Sequence, residues 1–132
     1  MSGGSPLPGA DLELAVLEAL WDLGRASARD LHDRVGGPRG LVYTTTTKVL
    51  DRLQAKGLVT RRRDGRRFLY LPRRRRETVE RARVRDALAR LLRPAPRPVM
   101  ATLVDAVESL DPDLLEELSR LVQAKRRQRR GP

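Results

Sequence analysis

Residues 43–71 read YTTTTKVLDRLQAKGLVTRRRDGRRFLYL, and this stretch decides the fold. A helix is predicted from Tyr43 or Thr44 to Lys56, with Gly57 as its C-cap. On a helical period Thr46, Val49, Leu50 and Leu53 face inward, leaving Thr44, Thr45, Lys48 and Arg52 outward. The run Thr44 to Thr47 is a poor helix former. It is tolerable at an N-terminus, where hydroxyls cap free N–H groups or reach a ligand. Two strand-like runs follow, Leu58 to Arg62 and Arg67 to Leu71, joined by Arg63-Asp64-Gly65-Arg66. Asp-Gly between two alternating segments predicts a β-hairpin, and Pro72 ends its second strand.

Upstream, Asp11 to Leu23 places Leu12, Val16, Leu17, Leu20 and Trp21 on one helical face, and Gly24 stops it. Ser27 offers an N-cap, with Asp30 as the acidic half of a capping box, to a short helix Ala28–Val35 that ends at Gly36-Gly37-Pro38. Helix, helix, helix, hairpin is the order of a winged helix-turn-helix domain. The fold class expected is therefore mainly α with a small β-hairpin, the winged domain being followed by a helical dimerisation region.

Downstream, Glu77 to Leu92, Val99 to Val107 and a final helix capped by Asp111-Pro112 carry further apolar stripes. Arg93-Pro94-Ala95-Pro96-Arg97-Pro98 separates the first two as a stiff break. These stripes exceed what the small winged domain can cover, and self-association as a two-fold dimer is their simplest use. Leu88, Leu91, Leu103, Val107, Leu114, Leu118 and Leu121 are the residues expected in that interface. The expected organisation is a flexible segment at 1–10, a winged-helix domain at 11–73, a dimerisation region at 74–124 and a basic tail at 125–132.

The chain has 132 residues and a formal net charge of +11. Residues 39–97 hold nineteen basic residues against five acids, whereas residues 1–38 and 98–124 are each net acidic. One cationic block between two acidic helical regions is the footprint of a module with one face for a polyanion. The absence of cysteine excludes disulfides and thiolate zinc sites, and the lone His32 leaves no His-cluster or Ser-His chemistry. His32 itself is expected as a surface or half-buried structural residue. The acidic pairs Asp11/Glu13, Asp111/Asp113 and Glu116/Glu117 sit at helix starts or on helix faces, where capping and the helix dipole account for them. No enzyme, metal or cofactor is expected. No apolar run reaches the length of a membrane span, and residues 1–10 lack the basic start and apolar run of a signal peptide. A cytoplasmic protein is therefore expected, with double-stranded DNA as its leading partner.

The segments Leu17-Glu18-Ala19-Leu20-Trp21, Tyr43-Thr44-Thr45, Val49-Leu50-Asp51-Arg52-Leu53, Lys56-Gly57-Leu58-Val59 and Gly65-Arg66 followed by Tyr70 resemble the penicillinase-repressor family of bacterial regulators. The similarity spans roughly residues 10–125. It implies a winged-helix homodimer that binds a palindromic operator and represses transcription. Some members are inactivated by a membrane-bound sensor protease. Here Thr46 and Thr47 stand where relatives usually carry apolar residues, and the cysteine-rich C-terminus of the copper-responsive branch is absent. The Asn-Phe pair of the cleavage site is also absent, the corresponding region reading Met100-Ala101-Thr102-Leu103. Antibiotic-linked proteolysis is not carried over.

The candidate DNA contacts are Tyr43, Thr44, Thr45, Thr47, Lys48 and Arg52 on the third helix, with Arg63, Arg66 and Arg67 at the hairpin tip. Threonine and lysine can bond to base edges or phosphates, and arginine at a turn can enter a minor groove or grip a phosphate. Tyr43 either reaches a phosphate or fills the core edge. Trp21, Phe68 and Tyr70 are read as packing residues. Arg73 to Arg76 open the next helix against its dipole, a penalty that either a polyanion or a disordered linker relieves. A nonspecific architectural or ribosome-associated nucleic-acid binder is the competing reading.

Overall fold

The computed structural model describes residues 11–131 and Pro8. The segment expected to be flexible at 1–10 lies, Pro8 apart, outside the described residues. Two compact units divide the chain, the first ending at Val84 and the second beginning at Arg85. The first unit thus reaches beyond residue 73. The physical reason is Val79, only 2% exposed and part of the first unit's core.

In the first unit, α1 (Asp11–Leu23), α2 (Ala28–Leu31) and α3 (Tyr43–Ala55) pack around a core to which a three-stranded sheet contributes. Val16, Leu17 and Leu20 of α1 meet Leu31 and the Val49, Leu50 and Leu53 face of α3, all fully buried. The inward residues read from the helical period are those the core contains, Thr46 included.

The hairpin consists of β2 (Val59–Asp64) and β3 (Arg67–Pro72), antiparallel, with Asp64 opposite Arg67. Its loop is two residues, Gly65-Arg66, shorter than the four-residue connection expected, so Arg63 lies within a strand opposite Phe68. Gly65 takes φ 64, the left-handed conformation that a tight two-residue hairpin turn requires. A further strand, β1 (Ala26–Ser27), pairs with β3 through Ala26 opposite Tyr70, giving the order β1-β3-β2. Two residues are too few to show alternation, and this strand exists through a pairing with a segment more than forty residues away.

The capping box of α2 forms as read. The Ser27 N–H donates to Asp30 Oδ2 at 3.1 Å, and the Asp30 N–H donates to Ser27 Oγ at 3.1 Å. The bond from the Ser27 backbone is the main cause holding the Asp30 carboxyl below its ordinary range, followed by the Ser27 side chain and then Arg67. The helix is shorter than expected. After Leu31 the chain widens into a π-type turn, His32–Gly36, then tightens into a 3-10 turn, Gly37–Arg39. The run Gly36-Gly37-Pro38, made of the poorest helix formers, follows Val35 directly and prevents a return to α-helix.

The α4 helix (Arg76–Leu92) begins in the first unit, and α5 (Pro96–Leu110) and α6 (Pro112–Arg130) make up most of the second. The break after α4 is short, because Pro96 and Pro98 enter the first turn of α5, where no N–H partner is lost. Asp111 caps α6 by accepting from the Asp113 N–H at 3.0 Å. The basic tail is helical: α6 continues through Lys125 to Arg130, where good helix-forming cations complement the negative dipole end. The α5 and α6 helices pack on each other, yet none of the described residues from Arg85 onward is buried. None of the helices described is long and apolar enough to cross a membrane.

Candidate nucleic-acid interface

The N-terminal half of α3 and the hairpin tip border one cleft of about 370 Å³. Arg29, Asp30, Tyr43, Thr47, Arg66, Arg67 and Phe68 are among its lining residues. The topology explains the meeting: β1 ties the hairpin to the start of α2, so the wing lies beside the turn that leads into α3. Of the sequence-derived candidates, Tyr43, Thr47, Arg66 and Arg67 line the cleft itself. Thr44 and Lys48 are exposed on α3, and Thr45 is half-buried.

Individual roles differ. Thr47 Oγ1 donates to the Thr44 carbonyl at 2.9 Å, so its hydroxyl proton is engaged within the helix. The Tyr43 ring stands edge-on to His32 at 5.6 Å, and the Arg29 guanidinium lies 4.4 Å over it. That arrangement fixes a partly exposed ring instead of burying it in the core edge. His32 is more buried than expected, at 9% exposure, and its Nδ1 is hydrogen-bonded to Thr46 Oγ1 at 2.7 Å. Thr46, polar in the middle of an apolar face, has its partner there.

Arg52 occupies the outward face yet is tied down. Its Nε donates to Glu13 Oε2 at 3.0 Å, and Lys56 Nζ donates to Glu13 Oε1 at 2.7 Å. Glu13 is 5% exposed, so this carboxylate sits below the surface, in the first turn of α1. A buried carboxylate needs partners. Arg52 therefore serves Glu13 through Nε, while its side chain remains 52% exposed.

On the wing, Arg61 and Arg63 share a strand face, with guanidinium carbons 4.1 Å and 4.9 Å from the Phe68 ring centroid. Arg67 is 3.6 Å from Asp64. Lys48, Arg62 and Arg66 are exposed and have no salt-bridge partner among the described residues. Arg29, which lines the cleft, and Arg61, beside Arg63 over Phe68, are not among the candidates read from the sequence. The period of two along β2 would have paired Arg61 with Arg63, whereas the position of Arg29 over Tyr43 depends on the turn between the helices and has no local signal.

Of the four arginines that lead into α4, Arg76 has a partner within the protein. Arg76 donates to Asp22 Oδ1 at 2.8 Å, and this bond is the main cause raising its pKa. The Trp21 Nε1–H donates to the Arg74 carbonyl at 2.9 Å, and the Arg73 N–H donates to the Leu58 carbonyl at 2.9 Å. The segment is thus anchored, with an acid from α1 offsetting the cation at the start of α4.

Among the described residues, no group of three or more His, Asp or Glu side chains could hold a metal ion.

The penicillinase repressor family matches residues 10–124. The chain is 36% identical over 111 residues to the transcriptional regulator BlaI of Mycobacterium tuberculosis, in strains CDC 1551 / Oshkosh and ATCC 25618 / H37Rv. That alignment covers 83% of this chain and 79% of the relative. The solution structure of the DNA-binding domain of the repressor BlaI is similar at a TM-score of 0.49 and 23% identity, covering 55% of this chain and 90% of that one. The chain belongs to the penicillinase repressor family of transcriptional regulators.

Proposed function

We propose that the protein is a cytoplasmic repressor, without enzymatic activity, that binds a palindromic operator as a homodimer. In this reading α3 enters the major groove, Thr44, Thr45 and Lys48 meet base edges, and the wing arginines grip the backbone or minor groove. The observation that carries it is the cationic cleft shared by the start of α3 and the hairpin tip, with Arg29, Arg66 and Arg67 among its lining. Exposed Lys48 and Arg62 extend the same charge.

What supports the dimer is the second unit. Leu91, Leu103, Leu114 and Leu121 are exposed, and Leu88, Val107 and Leu118 are half-buried, in a pair of helices that has no buried core of its own. A two-fold partner covers such a face and spaces two reading helices on one side of the duplex. Leu118→Asp places a carboxylate in that interface, at a cost of about 3–5 kcal/mol. The unmutated protein is expected to be a dimer by light scattering at micromolar concentration, and the variant a monomer with weakened operator binding. A monomeric unmutated protein would remove the dimer.

A further inference from the structure

The start of α3 has no side-chain cap, as at Ala95 before α5 and unlike the starts of α2 and α6. Val42 occupies the N-cap with extended backbone, φ −79 and ψ 157, and forms no side-chain cap bond. By contrast, Ser27 and Asp111 cap α2 and α6 through side-chain oxygens. A serine or aspartate stabilises a helix at this position where an apolar residue does not, and Val42 already has the backbone such a cap uses. Packing does not hold valine there either, because Val42 is 65% exposed. An isopropyl group that neither caps nor packs stands at the leading end of the reading helix, beside exposed Tyr43 and Thr44. Local departures of this kind concentrate at functional positions.

We propose that Val42 is a specificity-determining residue that contacts the 5-methyl group of a thymine in the major groove. Thymine presents the one apolar group on the major-groove edges of the four bases. Valine has no donor or acceptor to offer a phosphate or any other base edge. Its branched side chain is stiff at χ1, so little freedom is lost when it meets a methyl. The surrounding cations make nucleic acid the fitting partner for this apolar spot, since Arg29 and Arg66 line the adjoining cleft and Lys48 is exposed on α3. The inference rests on the reading of α3 given above.

The test uses the full chain and the operator recovered by selection from random DNA, with each thymine replaced singly by uracil, which lacks only the methyl. Unmutated protein should lose about threefold to fivefold in affinity at one position of each half-site, the value of one buried methyl-sized group. Val42→Ser should show no such loss at that position, while its Tm rises by about 4 °C because a cap is gained. Val42→Ile should keep the uracil penalty. A valine with a merely structural role would instead give a lower Tm on Val42→Ser and an unchanged penalty. Insensitivity of the unmutated protein to every uracil, or a penalty that survives Val42→Ser, overturns the proposal while leaving the reading helix in place. Failure of the selection to return any preferred sequence overturns both.

Discussion

Gly36→Ala is expected to destabilise the first unit by about 2–5 kcal/mol, the sum of an overpacked core and a broken buried hydrogen bond. A Cβ at Gly36 would lie 2.3 Å from Thr46 Oγ1 and 2.6 Å from His32 Nδ1. These two atoms are bonded to each other at 2.7 Å, and both side chains are buried. Either the Thr46 hydroxyl turns away, orphaning the imidazole nitrogen, or the turn lifts off α3. The second outcome displaces the turn that leads into Tyr43. Thermal unfolding should show Tm lowered by about 10 °C or more. Gly37→Ala is the control, since its nearest contact would be the His32 carbonyl at 3.3 Å. Because Thr46 supplies the closest clash, Gly36→Ala combined with Thr46→Ala should cost less than the two separate changes added together. A Gly36→Ala variant within about 0.5 kcal/mol of the unmutated protein would contradict this packing.

The same cluster marks how far the sequence is legible. Periodicity alone selected Thr46, Val49, Leu50 and Leu53 as the inward face of α3, and all four are buried. Asp64-Gly65 located the hairpin, and Ser27 with Asp30 located the start of α2. Each signal lies within a few residues of the feature it specifies. What escaped is made by distant segments. The partner of His32 lies fourteen residues away, and the anchor of Arg76 lies fifty-four away in α1. Arg52 looked outward because a helical wheel carries no information about Glu13, thirty-nine residues upstream. The two-residue strand β1 has no pattern of its own, yet it fixes the wing beside α3 and so shapes the cleft.

Salt should weaken operator binding steeply. Each phosphate neutralised by lysine or arginine releases condensed counterions, so log affinity falls linearly with log salt. Within the cationic block several charges are committed to protein acids: Arg52 and Lys56 to Glu13, Arg76 to Asp22, and Arg90 to Asp86. Lys48, Arg62 and Arg66 have no such commitment among the described residues, and Arg29 lies on Tyr43 at the cleft. A dimer using this set and its flanks engages about 6–10 phosphates, and its affinity should drop about 10³–10⁵-fold between 50 mM and 200 mM salt. A nearly flat plot would mean that these cations are solvated surface charge.

Reading by α3 and gripping by the wing are separable in one measurement: binding-site selection from randomised DNA with the unmutated protein, Lys48→Ala and Arg66→Ala, each scored for affinity and base preference. The unmutated protein should enrich one two-fold-symmetric sequence that survives excess random competitor DNA. Lys48→Ala should flatten the preference at one or two positions of each half-site, since a base-edge contact carries about 1–3 kcal/mol of discrimination. Arg66→Ala should weaken all sequences nearly equally, keep the preference, and lower the salt slope by about one per lost phosphate contact. Enrichment of no sequence, or a preference untouched by Lys48→Ala and reshaped by Arg66→Ala, would contradict the account.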